Sequence, residues 1–225
     1  MQRQFDEELK SLNMDLLKMA TLSEQAIHKS IESLKNKDLD LARDIVANDT
    51  IIDESQIKIQ KNAITLLALR QPLASDLRFI MTGVNIATSL ERIADLAVNI
   101  AQRVIELNGK PLLKPLVTIP QLADLAKKMV KGAIDSFVNH DEKLAKEVIL
   151  SDDEADNLRN VIQNELINNF LVKDGTTAPR AVPLLLIARH LERICDHAVG
   201  MAEEVIYMTQ AKMVKHHPEI LEILK

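Results

Sequence analysis

Two stretches of the chain, 101 residues apart, are near copies of one another. Residues 86–105 and 187–206 agree at twelve of twenty positions. Both carry an apolar seam whose steps alternate between 4 and 3. In the first it runs Ile86, Leu90, Ile93, Ala97, Ile100, Val104, Leu107; in the second, Ile187, Leu191, Ile194, Ala198, Met201, Val205, Met208. That spacing belongs to helices packed along their length. Upstream the offset becomes 103, pairing Ile31 with Ile134, Asp38 with Asp141, Asp49 with Asp152 and Asp53 with Asp156. Matches on both sides of a two-residue slip are the mark of a tandem duplication. The sequence therefore predicts an all-α protein of two tandem three-helix bundles, with the first repeat at 1–110 and the second at 111–225.

Within each repeat the periodicity predicts three long helices. They fall at 4–36, 38–70 and 77–108, then at 118–139, 141–171 and 180–212. Asp38 and Asp141 are suited to N-cap positions. Asn48-Asp49 is expected to kink the second helix, because both side chains compete for backbone hydrogen bonds. Pro72 and Pro179 are expected in the loops before the third helices. Asn108-Gly109-Lys110-Pro111, followed by Pro115 and Pro120, is the strongest punctuation and separates the repeats.

Composition narrows the function. Aromatic residues are 2% of the chain and Trp is absent, so the core is aliphatic and the stacking platforms of single-strand and RNA binders are missing. The formal net charge of −5 argues against nucleic-acid binding, which needs a basic surface. One cysteine excludes an internal disulfide framework and fits a reducing compartment. The longest apolar run, 181–188, is far short of the roughly 20 residues of a spanning helix, and no signal peptide is visible. A cytoplasmic protein that reaches a membrane only through partners is expected. No P-loop, dinucleotide fingerprint or nucleophile triad is present.

The repeats also share acid pairs at i, i+4: Glu91/Asp95 with Glu192/Asp196, and Asp49/Asp53 with Asp152/Asp156. Residues at this spacing share one helix face, and like charges there repel by a few tenths of a kcal/mol. A bridging cation would turn that cost into a gain, and carboxylate-only ligation suits hard or borderline ions. On a helical wheel Glu91 and Asp95 point away from the seam, beside a second apolar stripe of Ala87, Ala94, Val98, Ala101 and Ile105. This places the acids on an outer surface at the edge of an apolar strip. A solvated acidic face is the alternative reading.

Leu90-Glu91-Arg92-Ile93-Ala94-Asp95 and Leu191-Glu192-Arg193-Ile194-Cys195-Asp196 resemble the twin motifs of the PhoU family. Gln71-Pro72-Leu73-Ala74-Ser75-Asp76-Leu77-Arg78 resembles that family's first-repeat segment. The resemblance spans essentially the whole chain. It implies a cytoplasmic, non-enzymatic regulator that restrains phosphate uptake and phosphate-starvation signalling. The implied partners are the ATPase subunit of a phosphate ABC transporter, a sensor histidine kinase and a second copy in a homodimer. It implies multinuclear clusters of iron, zinc, manganese or magnesium, one held by Asp49, Asp53, Glu91 and Asp95 and the other by Asp152, Asp156, Glu192 and Asp196. Arg92, Arg193, Asp76 and Arg78 are candidates for partner contact. The second repeat departs from the first-repeat segment at Asp174–Arg180, so the two sites need not be equivalent.

Two further readings compete. A ferritin-like metalloenzyme would need Glu-x-x-His motifs facing the core, and none occurs. A metal-free helical scaffold would bind partners through the acidic face. Cys195 reads as a small packing residue, His197 as an inter-helix or surface residue, and Met19, Met129, Met201 and Met208 as core filler. His216-His217 is a candidate for adventitious metal binding.

Overall fold

The computed structural model describes residues 2–214, so His216-His217 lies outside it. Among the described residues the structure is helical, with no strand. The first repeat comprises α1 (Gln2–Asn36), α2 (Leu39–Ala47), α3 (Thr50–Arg70) and α4 (Ala74–Glu106). The second comprises α5 (Thr118–Asn139), α6 (Glu142–Leu150), α7 (Asp152–Leu166) and α8 (Ala178–Gln210).

The middle helix of each repeat is broken rather than kinked. Asn48 turns its side-chain amide back onto Asp44, donating to the main-chain oxygen and to Oδ1, each at 2.8 Å. That ends α2, and α3 restarts with Asp49 at its N-cap position. The same break occurs at Ser151, whose hydroxyl donates to the Glu147 carbonyl at 2.8 Å. Each break therefore delivers an acid of the candidate clusters to a helix N-terminus, where the exposed N–H groups favour negative charge. α7 also stops short of 171, because Ile167–Leu171 widens into a π turn. The expected caps are present: Asp38 accepts from Leu41 N at 2.9 Å and Asp141 from Lys143 N at 2.9 Å.

Pro72 lies in a loop as expected, but Pro179 belongs to the first turn of α8. A proline is tolerated there because its missing N–H would have no helical partner. Pro183, inside α8, cannot donate to the Pro179 carbonyl four residues back. Lys110 Nζ donates to that oxygen instead, at 3.2 Å.

α4 and α8, the two copies of the repeat's last helix, pack against each other as the centre of the molecule. They run antiparallel: Arg78 reaches Met208, while Thr82 and Asn85 reach Glu204. α1 covers α4, α5 covers α8, and α1 also meets α5. Both seams are buried, with only Leu107 part-exposed. The buried apolar side chains of the two repeats form one continuous cluster. Met19, Met129, Met201 and Met208 are within it, as expected of adaptable filler.

Candidate metal centre

The α2–α3 break and the middle of α4 bring the first acid set together. Asp49, Asp53 and Asp95 each offer a carboxylate oxygen, and the three atoms lie within 4.8 Å of one another. Glu91, one turn before Asp95 on α4, stands beside them with a side chain only 15% exposed. Arg92 is the nearby cation. Its Nη1 donates to Asp95 Oδ2 at 3.0 Å, and its Nε lies 3.3 Å from Glu91 Oε2. That second contact lacks the alignment of a hydrogen bond, and Glu91 Oε2 is buried without a donor.

Charge here is under-compensated. Burial, then the neighbouring Asp53 and Asp95, raises the Asp49 carboxyl above its usual range. Burial, then Asp95, raises Glu91. Desolvation and like charge both disfavour the ionised form, and a bound cation would oppose both. An all-oxygen donor set with an orphaned buried oxygen fits a hard or borderline divalent ion such as Mg²⁺, Mn²⁺ or Fe²⁺.

The acids do turn away from the seam, but they do not border an open apolar strip. Ala87, Ala94, Val98 and Ala101 are buried, and Ala94 and Val98 face Leu22 and Ala26 of α1, Ile45 of α2 and Ile52 of α3. The carboxylates sit half-sunk in the cleft between the α2–α3 break and α4.

The second set is built differently. Asp152 opens α7 and Asp156 follows one turn later, facing Glu192 and Asp196 of α8. The three-carboxylate convergence of the first repeat is not reproduced among the described residues. Arg159 stands between the acids instead. Its Nη2 lies 3.3 Å from Glu192 Oε1 and 3.5 Å from Asp156 Oδ1. Burial and the neighbouring carboxylates still push Asp196 up to about 6 and raise Asp152. The offset of 103 pairs Arg159 with Gln56. Sequence reasoning on the acids alone missed this residue, although aligning the repeats beyond the acids exposes the difference.

The remaining candidates fall in several places. Arg92 is held by the first acid set. Arg193 is exposed on α8. Arg78 Nε donates to the Met208 carbonyl at 3.0 Å, tying the start of α4 to the end of α8. Asp76 and Arg78 line one open cleft with Lys10 and His140. Cys195 is buried and its thiol is raised well above its usual range by that burial, which makes it a packing residue. His197 is lowered by burial and then by Arg193 and Arg92, which fits a place between α8 and α4. Among the described residues no helix is long and apolar enough to cross a membrane.

Comparison with known proteins agrees with this architecture. The PhoU domain model matches twice, at residues 16–104 and 119–205. A phosphate-specific transport system accessory protein PhoU homolog from Aquifex aeolicus is 40% identical over 93% of this chain and 94% of its own length. One from Rhizobium meliloti is 37% identical over 91% and 86%. The crystal structure of PhoU from Pseudomonas aeruginosa superposes with a TM-score of 0.88 at 32% identity, covering 92% of this chain and all of that one. The phosphate transport system regulatory protein PhoU from Streptococcus pneumoniae gives 0.87 at 28% identity over 93% and 99%. With both repeats matched and the helical arrangement shared, the chain belongs to the PhoU family.

Proposed function

We propose that this chain is a non-catalytic regulator of phosphate-specific transport, acting as a cation-binding adaptor. The partners are the transporter's ATPase subunit and a sensor histidine kinase on the cytoplasmic side of the membrane. The observation that carries the cation reading is the convergence of Asp49, Asp53 and Asp95 beside the orphaned Glu91 oxygen. These residues come from two sides of one cleft, the α2–α3 break and α4. Their mutual repulsion loosens that cleft when no cation is present. A bound cation would supply charge neutralisation and cross-link the two sides, fixing the shape of the adaptor's face. Asp152, Asp156, Glu192 and Asp196 form the weaker counterpart.

The relatives' names, phosphate-specific transport system accessory protein, support the transport assignment. The absence of a nucleophile or phosphate-cradling motif supports a binding role rather than a catalytic one. The test is metal content by plasma mass spectrometry on tag-free protein. It is run beside E91Q/D95N/E192Q/D196N, with binding to the purified ATPase subunit measured on both. Stoichiometric metal lost in the variant, together with weakened ATPase binding, is the expected result. Intact binding with no metal left would overturn the cation's role.

A metal-free scaffold is favoured by one observation. Arg159 already neutralises part of the second acid set, so a guanidinium can do there what a metal would do.

A further inference from the structure

The second repeat carries positive charge at two positions where the first has neutral residues. The repeat offsets pair Arg159 with Gln56 and Arg189 with Thr88. In the first repeat Gln56 Nε2 lies 3.5 Å from Thr88 Oγ1, so two neutral side chains span the gap between α3 and α4. In the second, the same two positions carry like charges that cannot close on each other. A groove of about 680 Å³ lies between α7 and α8. Ile167, Leu185 and Leu186 are apolar, half-buried residues of its wall. Arg159, Arg189 and Arg193 line the same groove. The π turn at Ile167–Leu171 begins in that wall.

Of the three guanidiniums, Arg159 is paired with Glu192 and Asp156. Arg189 and Arg193 are both exposed, one turn apart on α8; neither has a carboxylate within ion-pair distance among the described residues, and Arg193 acts on Asp196 from further off. Asp196 is the acid of the groove left beside them. Nearby, His190 is held below its usual pKa by burial and by Arg103, Arg193 and Arg189, and its Nδ1 is buried without a partner. The basic field therefore extends round α8 from the groove.

We propose that this groove docks an acidic, amphipathic segment of a protein partner. Its carboxylates, one helical turn apart, pair with Arg189 and Arg193, and its apolar residues lie on Ile167, Leu185 and Leu186. Paired carboxylates on one helix face match guanidiniums at i, i+4 in both spacing and charge. An apolar wall flanked by charge is the form of a helix-in-groove site. The groove is far larger than a phosphate ion, and it sets an apolar strip of Ile167, Leu185 and Leu186 beside its arginines. The surrounding protein is net acidic and the groove has no aromatic platform, which disfavours a nucleic acid. The proposal rests on the reading that this chain works by binding a protein partner, and it adds where and by what chemistry.

The experiment pans a displayed library of twelve-residue peptides on the wild-type protein and measures recovered peptides by fluorescence anisotropy. R189E/R193E is compared with K18E/K61E, which makes the same change in net charge on exposed residues elsewhere. Circular dichroism checks that both remain helical. Expected is enrichment of Asp and Glu at i, i+4 with interleaved Leu or Ile, binding that weakens with salt, and a tenfold or greater loss in R189E/R193E alone. Peptides without acidic bias, equal loss in both variants, or displacement by millimolar inorganic phosphate would overturn it, the last marking a small-anion site. The ATPase subunit is tested in parallel. Undiminished ATPase binding by R189E/R193E overturns the groove and leaves the adaptor reading standing, whereas no ATPase binding by the wild type is a failure of that reading itself.

Discussion

Arg159→Gln copies the first repeat's Gln56 into the second and should move stability in opposite directions with and without cation. Arg159 Nη2 is 3.3 Å from Glu192 and 3.5 Å from Asp156. Two unit charges at such distances attract by about 1 kcal/mol in water and about 5 kcal/mol at an effective dielectric of 20. The Glu192 side chain is 18% exposed and that of Asp156 is 53% exposed, so the Asp156 contact lies near the lower figure. After the cost of desolvating and ordering Arg159, a net loss of about 1–2 kcal/mol is expected in metal-free protein. For a chain of this size that is a fall in Tm of roughly 3–6 °C. With the Arg159 guanidinium gone, Glu192 and Asp156 lose the cation that pairs with them, and the exposed Arg193 acts on Asp196 without an ion pair. A cation at 100 times its Kd would return about 2.7 kcal/mol. Chelator-treated wild type and R159Q should be melted by differential scanning fluorimetry with and without millimolar Mn²⁺. R159Q should melt lower than wild type in chelator and show the larger rise with Mn²⁺. Equal melting in chelator, or an equal Mn²⁺ response, refutes the argument that Arg159 occupies the cation's place.

Asp196, pushed up to about 6, binds its proton more tightly folded than unfolded, so its charge weakens the metal-free fold most above pH 6. That penalty is relieved as pH falls from about 6 toward 3.8, so D196N should raise the urea midpoint at pH 7 and lose most of the advantage by pH 4. Gly132→Ala should destabilise by about 1–3 kcal/mol, because the new Cβ would lie 2.8 Å from Val148 Cγ2; Gly200→Ala meets nothing within 4 Å and should stabilise by about 0.5–1 kcal/mol. Thermal melts separate the two. Residues 1–110 expressed alone should fail to unfold cooperatively, because α4 would lose the α8 face against which its seam is packed; a sharp calorimetric transition would show that the first repeat folds independently.

The fold was legible because its strongest signal is written twice. The 4–3 seam fixes which face of α4 and α8 is buried, and the duplication fixes the number of units. The breaks were less legible. Asn48 advertises competition with the backbone, but whether that bends or ends a helix depends on geometry, here two short bonds to Asp44. Ser151 carries a weaker form of the same signal, and the π turn at Ile167–Leu171 carries none that periodicity detects. The acids were legible as pairs on one helix face. Their grouping across helices came from the family resemblance and not from the spacing, because it depends on where the α2–α3 break sets Asp49 against Asp95. The buried second stripe was misplaced for the same reason: a helical wheel gives direction from one axis and says nothing about a third helix arriving on the other side.

The pattern of agreement between the repeats follows from the antiparallel pairing of α4 and α8. Each helix must satisfy its own repeat and its copy at once. Ile86, Leu90, Ile93 and Ala97 keep their identities as Ile187, Leu191, Ile194 and Ala198, because a change of volume in either would be felt in the shared core. Positions on the faces turned away from that pairing carry no such double constraint. Gln56 and Thr88, which are half-buried, stand where the second repeat has Arg159 and Arg189. A duplication that must keep its core symmetric is free to make its surfaces unlike. The acid set that lost its space to Arg159 lies in the same groove as the unpaired Arg189 and Arg193, whereas the set that kept its open carboxylates faces a gap spanned by neutral side chains. On the two proposals, the first copy of the ancestral face would be the stronger cation site, and the second would add to its weaker acid set a surface for a charged partner.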